Sequence, residues 1–209
     1  MRIQRLLIAA AFVATAETAL AQNPPAGAPP AGRGGGRGGG RGRAIQVMTL
    51  STNAFDDGRS IPVRYSQAGE ELSPALAWTG APDSTASFVL IVHDVNAVSG
   101  NNLDDVLHWM VWNIPAASTS LREGIPQGGN LADGSRQISQ TGPYYRGPAA
   151  PSSGPPHHYV FELYALDTML DVPAVGQSPA LTRAAIMTAM GGHVRGKAVT
   201  VGTFRRAAP

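Results

Sequence analysis

SFVLIVHDVNAVSGNNLDDVLHWMVWNI, Ser87 to Ile114, decides the fold class. Ser87 to His93 reads as a strand, and within it Ser87 to Val92 is an almost unbroken apolar run, as expected for a strand covered on both faces. An interval rich in Asn, Gly and Asp follows, and the apolar residues resume from Val106 to Ile114. Runs of this length, separated by turn formers, have the spacing of an antiparallel β protein.

Outward from this stretch the pattern repeats. Ile45 to Leu50, Ile61 to Tyr65, Ala75 to Trp78, Tyr159 to Leu166 and Lys197 to Phe204 read as further strands, parted by Gly, Pro, Asn and Asp. One helix is expected: Ser178 can cap it, Pro179 suits its first turn, and Leu181 to Met190 is rich in helix formers before Gly191-Gly192. Thr141 to Pro156 is a long loop with little secondary structure of its own, and such loops in a compact domain are mobile or functional.

The N-terminus is of a different kind. Arg2 and Arg5 precede the apolar run Leu6 to Ala16, and the segment ends in Ala19-Leu20-Ala21, so residues 1–21 read as an export signal cleaved near Ala21. The apolar run is short of the roughly 18 to 20 residues that span a bilayer. A periplasmic or secreted location follows. Residues 22–43 hold little besides Pro, Gly, Ala and Arg, cannot bury apolar surface, and read as a disordered tether that touches anionic surfaces through its arginines.

Six of the 16 basic residues and one of the 14 acidic ones precede residue 44, so residues 44–209 carry ten bases and thirteen acids, a formal charge of −3. That argues against nucleic acid as a partner, which requires a basic folded face. With no cysteine, the domain has no disulfide and relies on its core, which a chain of this size can build.

Three residues stand at the ends of central strands, where a sandwich gathers its loops. Asp94 follows the run Phe88 to Val92. His108 stands at the start of an otherwise apolar face of the second run, where alternation groups it with Met110, Trp112 and Ile114, opposite Leu107, Trp109 and Val111. His157 precedes Tyr159 to Leu166, with His158 on the opposite face. Individually, a turn role for Asp94 and a satisfied core role for a histidine are the commoner fates. Together, two imidazoles beside a carboxylate suit a small anion held through N–H donors. A metal gains no support from the spacing, which has no close His-x-x-x-His pair, and no metal or cofactor is assigned. No nucleophile elbow, P-loop or cysteine nucleophile is present.

Read in order, LSPALAWTGAP (Leu72 to Pro82), SFVLIVHDVNA (Ser87 to Ala97), LHWMVWNIPA (Leu107 to Ala116), GPYYRGPAAPSSGPPHHYVFELYALD (Gly142 to Asp167) and GGHVRGKAVTVGTF (Gly191 to Phe204) resemble the successive signatures of the phosphatidylethanolamine-binding protein (PEBP) family. The likeness is to its bacterial Raf kinase inhibitor-like branch, of YbhB/YbcL type. It implies an antiparallel Greek-key β-sandwich with one or two short peripheral helices over residues 44–209. It also implies an anion pocket lined by Asp94, His108, Tyr145, Gly147 and His157, walled by Pro148 to Pro151. Two departures stand out. The family's D-P-D-x-P segment reads Asp94-Val95-Asn96-Ala97-Val98, and its H-R-Y triplet reads His157-His158-Tyr159, so less fixed charge of either sign surrounds the pocket.

The function expected from residues and resemblance is an exported binding module. It would take a small anion, phosphate or a phospholipid headgroup, and modulate a protein partner through loop 142–156; a homodimer is left open. The alternatives are a weak hydrolase using His108 or His157 as base with Asp94 orienting it, and an inhibitor of a protease or other partner.

Overall fold

The computed structural model of the chain describes residues 44–99 and 104–208, so the expected signal and tether lie outside the described residues. The elements run β1 (Gln46–Val47), β2 (Thr49–Ser51), a 3-10 turn (Val63–Tyr65), β3 (Leu76–Thr79), β4 (Ser87–Ser99), β5 (Asp104–Pro115), β6 (Ser120–Leu121), β7 (Arg136–Ile138), β8 (His157–Leu166), α1 (Pro179–Met190) and β9 (Val194–Phe204). A large sheet takes the order β1-β9-β8-β4-β5-β7 and a small one the order β2-β3-β6. All neighbours are antiparallel except β1, which runs parallel to β9.

The fold is mainly β, as expected, and its core has two halves. Between the sheets lie Leu50, Leu76 and Trp78 of the small sheet against Phe88, Leu90, Val92, Trp109, Val111, Phe161 and Leu163 of the large one. On the other face, Ile186 and Met190 of α1, with Leu170 and Val172, cover Val89, Ile91, Leu107, Met110 and Trp112. Strand β4 is therefore apolar on both faces because it has packing on both, each fully buried side chain contributing about 1.5–3 kcal/mol. Helix α1 starts where the sequence indicates: the Ser178 hydroxyl accepts the Leu181 N–H and Pro179 opens the first turn.

Two expectations are corrected. Ile61 to Tyr65 is not a strand: Ile61 makes a single ladder bond to Thr203, then Pro62, with no N–H to offer, turns the chain into the 3-10 segment. The grouping of His108 with Met110, Trp112 and Ile114 also fails. The β4–β5 register passes from Val92↔Trp109 to His93↔Leu107, leaving His108 as an extra residue, and from Leu90↔Val111 to Phe88↔Ile114, leaving one residue too many at Trp112-Asn113. Each bulge slips the alternation by one. His108 accordingly joins Trp109, Val111 and Ile114 on the inter-sheet side, while Leu107, Met110 and Trp112 face the helix. Asn113 meets its bulge with φ 58° and is held by paired hydrogen bonds to Leu170, 2.9 and 2.8 Å.

Candidate functional site

The bulge at His108 aims its ring at the inter-sheet rim, edge-on to Tyr159 with centroids 5.0 Å apart. Tyr159 is the register partner of Asp94, so the alternation of β4 and β8 delivers both to the same face. Asp94, 3% exposed, uses Oδ2 to accept from His157 Nδ1 at 2.8 Å and Oδ1 to accept from the Asn96 N–H at 2.9 Å. This last bond closes a turn in which residues 95 to 97 loop out of the ladder, since the pairing jumps from Asp94↔Val106 to Val98↔Asp105. Asn96 turns its own Oδ1 to the His158 N–H and Nδ1, 2.7 and 2.9 Å, holding that second imidazole outside the cluster.

The loop before β8 closes the site from the other side. Arg146 N–H donates to the His108 carbonyl at 2.9 Å, and His108 Nδ1 donates to the Arg146 carbonyl at 2.7 Å. Tyr145 is buried, stacked edge-on against Trp109 at 5.5 Å, and its hydroxyl donates to the Tyr65 carbonyl at 2.9 Å. Gly147 presses on residues 65 and 66 so closely that a Cβ would lie 2.5 Å from the Tyr65 carbonyl oxygen. The Glu71 carboxylate, on a residue with φ 56°, accepts from the Gly147 N–H and from Arg146 Nη1, both at 3.2 Å. Tyr159 completes the frame: its hydroxyl accepts from the Ala149 and Ala150 N–H groups, 3.1 Å each.

Burial pushes His108 below the ordinary histidine value, against the opposing pull of the Arg146 carbonyl and the Asp94 carboxylate. Burial, and then the Asp94 charge, lift the Tyr159 phenol to about 12. At neutral pH the cluster therefore holds a neutral His108 and a neutral Tyr159 beside Asp94.

Asp94, His108 and His157 are brought together, with Tyr159 between the carboxylate and His108. Tyr145 and Gly147, expected to line the pocket, flank Arg146 in the loop bonded to His108, and their polar groups are bonded to Tyr65 and Glu71. Sequence reasoning missed Tyr159, although it shares a face with His157 by simple alternation. It also missed Glu71, whose reach to residues 146 and 147 no local pattern announces. Among the described residues no group of three or more His, Asp or Glu is placed to hold a metal ion. His193, in the turn before β9, binds Asp167 through Nδ1 at 2.8 Å and is a structural tie.

A second titratable cluster lies on the helix side of the large sheet. His93 Nδ1 contacts Asp105, and Nε2 stands 3.4 Å from Glu162, a charge contact without hydrogen-bond geometry. Arg183 of α1 binds Asp105 at 2.5 Å, and Lys197 binds Glu162 at 2.5 Å.

The protein is thus a β domain of two facing sheets with a histidine and carboxylate cluster at one rim. A family model described as phosphatidylethanolamine-binding protein matches residues 51–205. A UPF0098 protein of Methanothermobacter thermautotrophicus is 43% identical over 161 residues, covering 76% of this chain and 99% of its own. A Mycobacterium tuberculosis protein named as a candidate lipoprotein, LppC, is 34% identical over 164 residues, 77% of this chain and 74% of its own. Among solved structures, the PEBP homolog CT736 of Chlamydia trachomatis aligns with TM-score 0.63 and 30% identity over 77% of this chain and 98% of that one. E. coli YbcL, at 24% identity and TM-score 0.64 over 76% and 98%, shares the fold. The chain belongs to the phosphatidylethanolamine-binding protein family.

Proposed function

We propose that the protein is an exported binding module whose site at Asp94, His108 and His157 takes a small anion, phosphate or a phospholipid headgroup. The observation that carries this reading is the gathering of two imidazoles and a buried carboxylate at one rim, with both Nδ1 atoms anchored to acceptors of the protein and both Nε2 atoms free of any bond among the described residues. Export rests on the N-terminal signal pattern and is in keeping with the lipoprotein name of the mycobacterial relative. The exposed tip Ser153 to Pro156 of the loop before β8 offers a partner protein a surface beside the ligand. Among the described residues neither Nε2 is hydrogen-bonded to a serine or threonine hydroxyl, which favours binding over nucleophilic catalysis.

Phosphoethanolamine titrated into the protein is expected to shift the side-chain NMR signals of His108 and His157. His108→Ala is expected to abolish the response while the backbone spectrum stays folded. A titration in which neither imidazole responds refutes the site.

A further inference from the structure

Anion sites usually present N–H or O–H donors, and in this cluster the two Nδ1–H groups, the Tyr145 hydroxyl and the Gly147, Ala149 and Ala150 N–H groups are already engaged. His108 Nδ1–H is bonded to the Arg146 carbonyl and His157 Nδ1–H to Asp94 Oδ2. Because both acceptors are oxygens with no proton to give, a ring in its neutral form carries its proton on Nδ1 and presents a lone pair at Nε2, and burial favours that form for His108. The Tyr145 hydroxyl donates to the Tyr65 carbonyl and the Gly147 N–H to Glu71. The Ala149 and Ala150 N–H groups point at the Tyr159 oxygen. An anionic oxygen brought to the two Nε2 atoms of the neutral state would meet lone pairs on both sides.

We propose that the Asp94, His108 and His157 site captures its anion only together with one proton, which bridges a ligand oxygen and an imidazole Nε2. This deepens the anion-binding reading and rests on it. The proton comes from the ligand when that is a phosphate monoanion bearing a P–OH, and from solvent when the ligand is a phosphodiester or a dianion. In both cases one proton more is bound in the complex than in the separated fully ionised ligand and protein with His108 neutral.

The surrounding charges set where this happens. His108 on β5 faces Asp94 of β4, Tyr159 and His157 of β8, and Arg146 of the loop, which Glu71 neutralises. His157 on β8 faces Asp94 across the sheet and Phe204 of β9 by register, with Arg205 and Arg206 just beyond, bound through the Arg205 side chain and the Arg206 N–H to the loop at Gly154 and Ala150. Burial holds His108 in its neutral form at pH 7, so the proton is missing where the ligand needs it. Affinity therefore rises as the pH falls, and levels off once the ring is already protonated in the free protein.

The test uses the purified protein and two probes. Glycerophosphoethanolamine is a headgroup diester whose phosphate does not titrate near neutral pH, so any proton taken up must go to the protein; inorganic phosphate represents the free ligand. Calorimetry in two buffers of different ionisation enthalpy is expected to show uptake approaching one proton per diester at about pH 8, with Kd weakening about tenfold per pH unit above the ring's titration. The probe with the lower Kd at about pH 6 identifies headgroup or free phosphate as the source. Diester binding of equal strength at about pH 5.5 and 8.5 with no proton uptake overturns the proton requirement and leaves the anion site standing. If neither probe binds at any pH, the anion reading and this inference fall together.

Discussion

Raising the pH should loosen the domain through one residue, His93. It lies on the helix side of the large sheet with its side chain 14% exposed, between Asp105 of β5 and Glu162 of β8, while Arg183 and Lys197 hold those acids from α1 and β9. Burial alone would lower the imidazole, but its hydrogen bond to the Asp105 carboxylate and the charge of both carboxylates overcome it and raise the group to about 9. The acids respond in the opposite sense, Asp105 and Glu162 both falling to about 2. A histidine carried from 6.5 when unfolded to about 9 when folded contributes about 3 kcal/mol. That contribution is fully present below pH 6.5 and is lost as the pH climbs through 9, at about 1.4 kcal/mol per pH unit in between. On the acid side the carboxylates keep their share above their ordinary values near 4 and lose it only as the pH falls through about 2.

Denaturant unfolding of the protein at about pH 6, 7.5, 9 and 10 measures this, with His93→Leu as the reference. The protein should lose about 3 kcal/mol from pH 6 to 10, and the variant should lose far less over the same span. If the two curves run parallel, the clamp reading of His93 is wrong.

Gly147→Ala places a Cβ 2.5 Å from the Tyr65 carbonyl oxygen, a backbone atom that cannot rotate away, and should cost about 2–3 kcal/mol in thermal or chemical unfolding together with weaker anion binding. Tyr159→Phe strips the Ala149 and Ala150 N–H groups of their shared acceptor and should cost about 1–3 kcal/mol, with faster amide exchange at those two positions.

The strands were legible because the apolar runs of β4, β5, β8 and β9 are long, and the cap and stop of α1 are spelled out by Ser178, Pro179 and Gly191-Gly192. The faces of β5 were not. A bulge is chosen by the partner strand and by what packs above it, so the extra residues at His108 and Asn113 leave no local mark, and simple alternation put His108 on the wrong side. The convergence of Asp94, His108 and His157 followed from their positions at strand ends. Tyr159 could have been placed with them by the same alternation that placed His157. Glu71 could not, because its left-handed backbone and its contact with residues some 75 positions away arise only once the chain is folded. The sheet's second histidine cluster, around His93, was hidden inside the run that gave β4 its assignment. Read as sequence, His93 is the last residue of an apolar strand; in the fold it is a buried cation between two acids.

A crystal structure of the protein grown with phosphoethanolamine would locate the ligand. The phosphate group is expected between the Nε2 atoms of His108 and His157, with His157 Nδ1 still on Asp94. A phosphate bound elsewhere on the domain, with those two rings left untouched, would contradict the anion-site reading.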